Sequence, residues 1–181
     1  MGFVIVQFTK KRSSLIISKS IFLNIKNMND SKLNTGATLM TLAGIAFVGY
    51  GIVFFLLNFF SSGFELGVDT LNGITQADLN ALNPAIAPYI AHLHVAAAGF
   101  IVGTGIAVAS LSHFAVRRGE MWAWVTAVAA LVVALAYALP MHYLGQFEHN
   151  WVLHLGPIYL GTGVFVIGAL MALMPMMAKE S

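Results

Sequence analysis

The chain has 181 residues, of which 59% are hydrophobic and only 9% are charged. A soluble domain usually carries about a quarter charged residues, so this composition excludes a fully hydrated surface and indicates one membrane-embedded unit. The absence of cysteine excludes disulfides, thiolate metal sites and thiol catalysis. A net charge of +2, scattered along the chain, gives no reason to expect nucleic acid as a partner.

The first 27 residues differ in composition from the remainder. They are rich in Lys, Ile, Ser and Phe, whereas the rest of the chain is rich in Ala, Gly and Val. Charges interrupt their apolar stretches, which is not typical of a cleavable secretory signal. We therefore interpret residues 1–27 as a doubtful leader or a mis-assigned start, and residues 28–181, from Met28, as a single transmembrane domain.

Four apolar runs follow, near residues 38–60, 91–116, 121–140 and 153–177. Each reaches the length of about 17–25 residues that a helix needs to cross a bilayer. None has a Lys, Arg, Asp or Glu in its central part. The sequence predicts an all-α fold, an integral membrane four-helix bundle, with the lipid bilayer as its first partner.

The basic residues predict the orientation of this bundle. Lys and Arg are retained on the cytoplasmic side during insertion, so both termini are expected inside and the long loop after the first helix outside, in a multi-pass protein of the plasma membrane. All nine basic residues fall on one side of the four-helix arrangement: Lys10, Lys11, Arg12, Lys19, Lys26, Lys32, Arg117, Arg118 and Lys179.

Two connections have recognisable local signals. In "GITQADLNALNP", Thr75 and Asp78 have the spacing of a capping box and Asn83-Pro84 favours an end, which predicts a short helix on the outer membrane surface. In "RRGE", Gly119 permits a tight reversal on the inner side.

Five of the six histidines belong to the predicted outer end, where four of the five prolines also lie. Proline disrupts regular helix, and irregular backbone at membrane depth is tolerated only when it is buried in protein or faces water. We therefore expect an irregular, polar, histidine-lined outer vestibule.

Small residues let membrane helices pack closely, so their spacing indicates which histidines face inwards. His92 lies seven residues before Gly99 of the Gly99/Gly103 pair, His142 four residues after Ala138, and His154 seven residues before Gly161. This spacing predicts that His92, His142 and His154 converge as a cofactor-binding set. His94 lies about 200° around the helix from His92 and is expected to point elsewhere.

Imidazole and carboxylate ligands suit zinc or copper, and a haem would take two imidazoles facing each other, such as His92 with His142 or His154. The alternative is that the histidines are interfacial or hydrogen-bonded structural residues. The candidate metal ligands are His92, His94, His142, His149, His154 and Glu148.

The segments "HLHVAAAG", "VRRGEMWAW" and "HLGPIYL" resemble those of small four-helix integral membrane proteins of bacteria and archaea, whose function is not known. The resemblance covers roughly residues 38–174. It implies the fold and the pairing of these segments, and it carries no activity.

The function expected from the sequence is a small integral membrane subunit or binding protein with a histidine-lined outer vestibule for a metal ion or haem. Two alternatives stay open. One is a membrane redox enzyme acting on quinone or a small molecule, and the other is a transporter or permeation unit. Other membrane subunits or a second copy of the chain are the candidate protein partners.

Overall fold

The structure, a computed structural model, describes residues 2–60, 73–144 and 151–180. Within these ranges every regular element is helical. The α-helices are α1 (Gly2–Phe60), α2 (Gln76–Leu82), α3 (Ile86–Phe114), α4 (Met121–Ala138) and α5 (Gly156–Glu180). Two 3₁₀ turns, Val116–Arg118 and Pro140–Tyr143, flank α4, and a π-helical turn, Trp151–Leu155, precedes α5.

Four of these helices are long and apolar enough to cross a membrane, over Leu23–Phe60, Ile86–Arg118, Met121–Tyr143 and Gly156–Ala178. The predicted all-α architecture with four membrane-length helices is confirmed. α3 begins at Ile86, earlier than predicted, and Pro88 therefore lies in its first turn instead of before the helix. The N–H groups of a first turn have no partner within the helix, so proline is tolerated there.

α1 is the centre of the bundle, because it packs along α3 on one side and α5 on the other. Pairs of glycines permit both contacts. A Cβ added to Gly105 would lie 2.7 Å from the carbonyl oxygen of Gly44, and one added to Gly168 would lie 2.7 Å from that of Gly36. Without a hydrophobic force between helices in lipid, such close backbone approach is a main source of helix association.

The small-residue face that was predicted from Gly161 is confirmed in α5, whereas Ala138 of α4 is exposed and the face predicted for α3 is wrong. Gly44, Gly51, Gly161 and Gly168 are buried. By contrast, Gly99 and Gly103 are exposed, and a Cβ on either would meet nothing within 4 Å. The packing face of α3 instead carries Ala98, Gly105, Val108 and Ser112.

The turn between α3 and α4 has the predicted form. Gly119 adopts a left-handed conformation with φ of 83°, which favours glycine, and Val116 is fully buried beneath it. Trp124 in the first turn of α4 donates its indole N–H to the carbonyl of Ala169 on α5 at 3.0 Å. The Trp124 hydrogen bond therefore connects the start of α4 to α5.

α2 confirms the predicted capping box. The Thr75 side chain accepts from the Asp78 backbone N–H, and the Asp78 carboxylate accepts from the Thr75 backbone N–H at 2.8 Å. Asn83 ends the helix in an extended conformation. Only Leu79 of this helix is buried, which leaves Leu82 largely exposed.

Candidate functional site at the histidine end of the bundle

The two ends of the bundle differ in chemistry. At one end, which we call the histidine end, lie the last turns of α1, the first turns of α3, the 3₁₀ turn after α4 and the π turn before α5. The opposite end, which we call the arginine end, carries the Val116–Arg118 turn. The histidine end holds a cluster of ring side chains: Tyr50, Phe54, His94, His142 and His154.

An imidazole pair forms the centre of this cluster. Nε2 of His142 lies 3.0 Å from Nε2 of His154, and the ring centroids are 5.0 Å apart. Nδ1 of His142 lies 2.9 Å from the carbonyl oxygen of Ala138. Because a carbonyl can only accept, Nδ1 must carry a proton, so in neutral His142 the Nε2 atom presents its lone pair. The proton between the two rings then belongs to Nε2 of His154.

Phe54 on α1 connects this pair to α3. Its ring centroid lies 6.2 Å from that of His154 in an edge-on arrangement and 5.6 Å from that of His94. The Tyr50 hydroxyl, one turn earlier, donates to the backbone carbonyl of His154 at 3.0 Å. α1 thus fixes both the ring and the backbone of His154.

His94 has the same local geometry as His142. Its Nδ1 lies 2.9 Å from the carbonyl oxygen of Ile90, one turn earlier in α3. The carbonyl again requires a proton on Nδ1 and directs the lone pair to Nε2. His94 is half-buried, whereas His92 is exposed.

The predicted convergence of three histidines is therefore formed only in part. His142 and His154 meet as predicted, but His92 does not join them, and His94 contacts Phe54 instead. The reason is the α3 packing face: His94 precedes Ala98 by one helical turn, whereas His92 shares the exposed face of Gly99. Of the other predicted ligands, Glu148 and His149 lie outside the described residues.

Among the residues that the structure describes, no group of three or more His, Cys, Asp or Glu side chains is arranged to hold a metal ion. The described part of the predicted vestibule provides two ring nitrogens in direct contact rather than a complete ligand set. His113, the sixth histidine, is exposed at the arginine end and packs edge-on against Phe114.

His154 belongs to the π turn Trp151–Leu155, which immediately precedes α5. Pro157, the second residue of α5, has no N–H and clashes with a regular preceding turn. The wider Trp151–Leu155 turn accommodates this proline, and π turns of this kind are frequent at functional sites. The predicted irregular backbone at this end is confirmed here and at the Pro140–Tyr143 turn.

Sequence reasoning missed the aromatic partners of the histidines. Phe54 follows Phe47 by seven residues on the face of α1 that also carries Gly51, and both rings are buried. This seven-residue spacing is the sequence signal that could have identified Phe54 as a packing residue. Tyr143, which follows His142 in the chain, forms a hydroxyl–hydroxyl contact with Tyr159 of α5. Neither tyrosine has the spacing from a small residue that pointed to the histidines, so this pair was not predicted.

The histidine end can therefore present imidazole nitrogens, in a fixed tautomer, at a site bounded by aromatic rings. Such a site suits metal coordination or hydrogen bonding to a small ligand. Comparison of the chain with protein-family models, with curated proteins and with solved structures finds no match.

Proposed function

We propose that this protein is a small integral membrane binding protein, or a subunit of a membrane assembly, that holds a copper or zinc ion at its histidine end. The observation that carries the proposal is the 3.0 Å separation of the Nε2 atoms of His142 and His154. Imidazole nitrogens are preferred ligands of both metals.

The separation is compatible with two ligands on one ion, provided that the metal displaces the proton from Nε2 of His154, since a ligand nitrogen needs its lone pair. With metal–nitrogen bonds of about 2.0–2.1 Å, neighbouring ligand nitrogens lie about 2.9 Å apart at a right angle and about 3.4 Å apart at a tetrahedral angle. The contact between His142 Nδ1 and the Ala138 carbonyl supports the proposal further. Histidine ligands usually donate the other ring N–H to such an acceptor, which fixes the tautomer that binds metal.

Further ligands are needed to complete a zinc or copper site. Glu148 and His149 lie in sequence between the two paired histidines. We propose them as the additional ligands, since an imidazole and a carboxylate would suit either metal.

The same distance disfavours a haem on this pair. Two imidazoles on opposite sides of one iron have nitrogens about 4 Å apart, with the porphyrin plane between them. Direct contact between the His142 and His154 rings leaves no space for that plane.

Metal titration of the purified protein tests the proposal. We expect one Cu(II) or Zn(II) ion per chain, with nitrogen ligation visible in the electron paramagnetic resonance spectrum of the copper form. His142→Ala and His154→Ala should each weaken binding at least tenfold, because only one of the two ring nitrogens remains. His92→Ala and His113→Ala are matched controls, since both rings are exposed. Equal binding by all four variants would reject the site.

The same sample separates the two alternative functions. A membrane redox enzyme should oxidise or reduce a quinone when loaded with copper, and a transporter should move the ion across liposomes. A binding protein should do neither while it retains the ion.

We also propose that the histidine end faces the outside of the cell, because the basic residues belong to the opposite side of the membrane. The natural chain has no cysteine, so single cysteines report sidedness directly. A Leu82→Cys probe should react with an impermeant reagent added to intact cells, whereas an Arg118→Cys probe should react only after lysis. The reverse pattern would invert the orientation.

A further inference from the structure

The arginine end contains a cation that is partly enclosed by the protein. Arg117 belongs to the 3₁₀ turn Val116–Arg118, which is anchored by the fully buried Val116. The anchored turn directs the Arg117 side chain towards α1, where its Nη2 atom donates to the Thr38 hydroxyl at 2.9 Å. The guanidinium is therefore held in place at the junction of α1 with the α3–α4 turn.

The partner of Arg117 is neutral. The Thr38 hydroxyl donates its own proton to the carbonyl of Asn34 at 2.8 Å, so its oxygen is oriented to accept from Arg117. Among the side chains that the structure describes, which do not include that of Glu180, no carboxylate pairs with Arg117, and the Nε atom of Arg117 is buried without a hydrogen-bond partner. The positive charge is thus partly withdrawn from water and is not neutralised by this part of the chain.

A charge removed from water is destabilised unless an opposite charge lies beside it. Arg117 keeps some exposure, and Nε is the only one of its nitrogens that is both buried and unpartnered. Because Nε is buried, a ligand that carries negative charge would have to contact the terminal nitrogens of the guanidinium, through the exposed part of Arg117. Its planar fork matches two oxygens of a phosphate.

The surroundings of Arg117 favour a lipid as the source of that phosphate. Arg118 is exposed beside it, and the exposed side chains of Phe114 and Trp122 flank the same turn. Exposed rings at the end of a membrane span lie at the level of lipid headgroups and acyl chains, and basic pockets there are typical of headgroup sites. A soluble phosphate would contact the two arginines but would make no contact with the apolar rings of Phe114 and Trp122.

We propose that Arg117, held by Thr38, binds the phosphate of an anionic phospholipid at the arginine end of the bundle. The inference is independent of the metal site, because the two sites lie at opposite ends of the helices. It is also independent of the orientation, since both leaflets present phosphates.

Lipid binding to the full-length protein, delipidated in detergent, tests the inference by native mass spectrometry. We expect phosphatidylglycerol to bind with one preferred site per chain and at least tenfold more tightly than phosphatidylcholine. Arg117→Gln, which keeps donors for Thr38 but removes the charge, should weaken phosphatidylglycerol binding at least tenfold. The control Arg118→Gln, at an exposed neighbour, should change it less than threefold.

Three outcomes would overturn the proposal: unchanged binding in Arg117→Gln, equal loss in Arg118→Gln, or full competition by millimolar inorganic phosphate, which would indicate a soluble ligand. If circular dichroism shows that Arg117→Gln does not fold, Thr38→Val replaces it. That variant keeps the charge but removes the acceptor that orients the guanidinium. It should weaken binding at least threefold, and unchanged binding would equally contradict the site.

Discussion

The two faces of α3 carry similar residues, but only one of them packs. Each face has a histidine near the start of the helix and small residues along the next turns. His94, Ala98 and Gly105 turn towards α1, whereas Gly99 and Gly103 are exposed, as is His92. The outward face has the G-x-x-x-G pattern that is associated with helix packing in membranes, and the inward face does not.

The difference shows that small-residue spacing identifies a possible contact but not its partner. Gly105 packs because its backbone lies opposite Gly44 on α1, so that each glycine provides the space that the other needs. Gly99 and Gly103 have no such neighbour among the described residues. The choice between the two faces depends on α1, and it decides which histidine enters the cluster.

The largest effect on stability is expected when a methyl group is added to each face of α3 in turn. Gly105→Ala would place a Cβ 2.7 Å from the Gly44 carbonyl oxygen and 2.8 Å from the Val48 backbone nitrogen. Because two backbones must shift apart to admit the methyl group, we expect the free energy of unfolding to fall by about 1–3 kcal/mol.

Gly103→Ala is the matched control, since its Cβ would meet nothing within 4 Å. Alanine favours helix over glycine, so this variant should be unchanged or up to about 1 kcal/mol more stable. Unfolding of both variants by detergent titration, followed by circular dichroism, measures the difference. An equal loss in Gly103→Ala would mean that a second molecule covers the outward face.

A smaller effect is expected from the two histidines. His94→Ala removes a ring that lies 5.6 Å from the Phe54 ring, and such aromatic contacts stabilise by about 0.5–1.5 kcal/mol. His92→Ala should leave the free energy of unfolding unchanged within error, because His92 is exposed. The same unfolding assay applies. If His92→Ala proved the more destabilising, the assignment of the inward face would have to be reversed.

The smallest effect belongs to α2, which lies outside the membrane-length helices. Hydrogen bonds from the Thr75 side chain, and then from its backbone N–H, lower the pKa of Asp78 below its ordinary value of 3.8. The carboxylate form is therefore favoured in the folded state. The resulting stability of α2 is present above about pH 4 and is lost as the pH falls through the lowered pKa.

Nuclear magnetic resonance titration of the Asp78 amide from about pH 6 to about pH 2 should follow this loss. Thr75→Ala should raise the pKa towards 3.8, because it removes the side-chain hydrogen bond. Asp78→Asn should abolish the transition. A transition that survives in Asp78→Asn would show that another group titrates.

Much of this fold could be predicted from the sequence because its signals are local. Apolar run length predicted the four membrane helices, the Thr75–Asp78 spacing predicted the cap of α2, and Gly119 predicted the turn. Each depends on a few neighbouring residues. The helix bounds were less accurate at α3, where Pro88 lies inside the first turn instead of before it.

The candidate site was predicted less completely because it depends on how helices rotate against each other. The meeting of His142 and His154 followed from small-residue spacing on their own elements. The choice of His94 over His92 required the position of Gly44 on a different helix, and the contacts of Phe54 required the distance between α1 and α5. His92 and His94 lie about 200° apart around α3, and the local sequence does not show which of these two faces turns towards α1.

The contact between Gly36 and Gly168 has a consequence for the order in which the chain assembles. These residues are more than a hundred positions apart, and α5 is synthesised after all the other described helices. α1 can join α3 while translation continues, but its groove at Gly36 stays open to lipid until α5 arrives. Closure of the bundle through Gly168 is therefore a late event in biogenesis, and the contacts of His154 with Tyr50 and Phe54 likewise form only after α1, α3 and α4 have been synthesised.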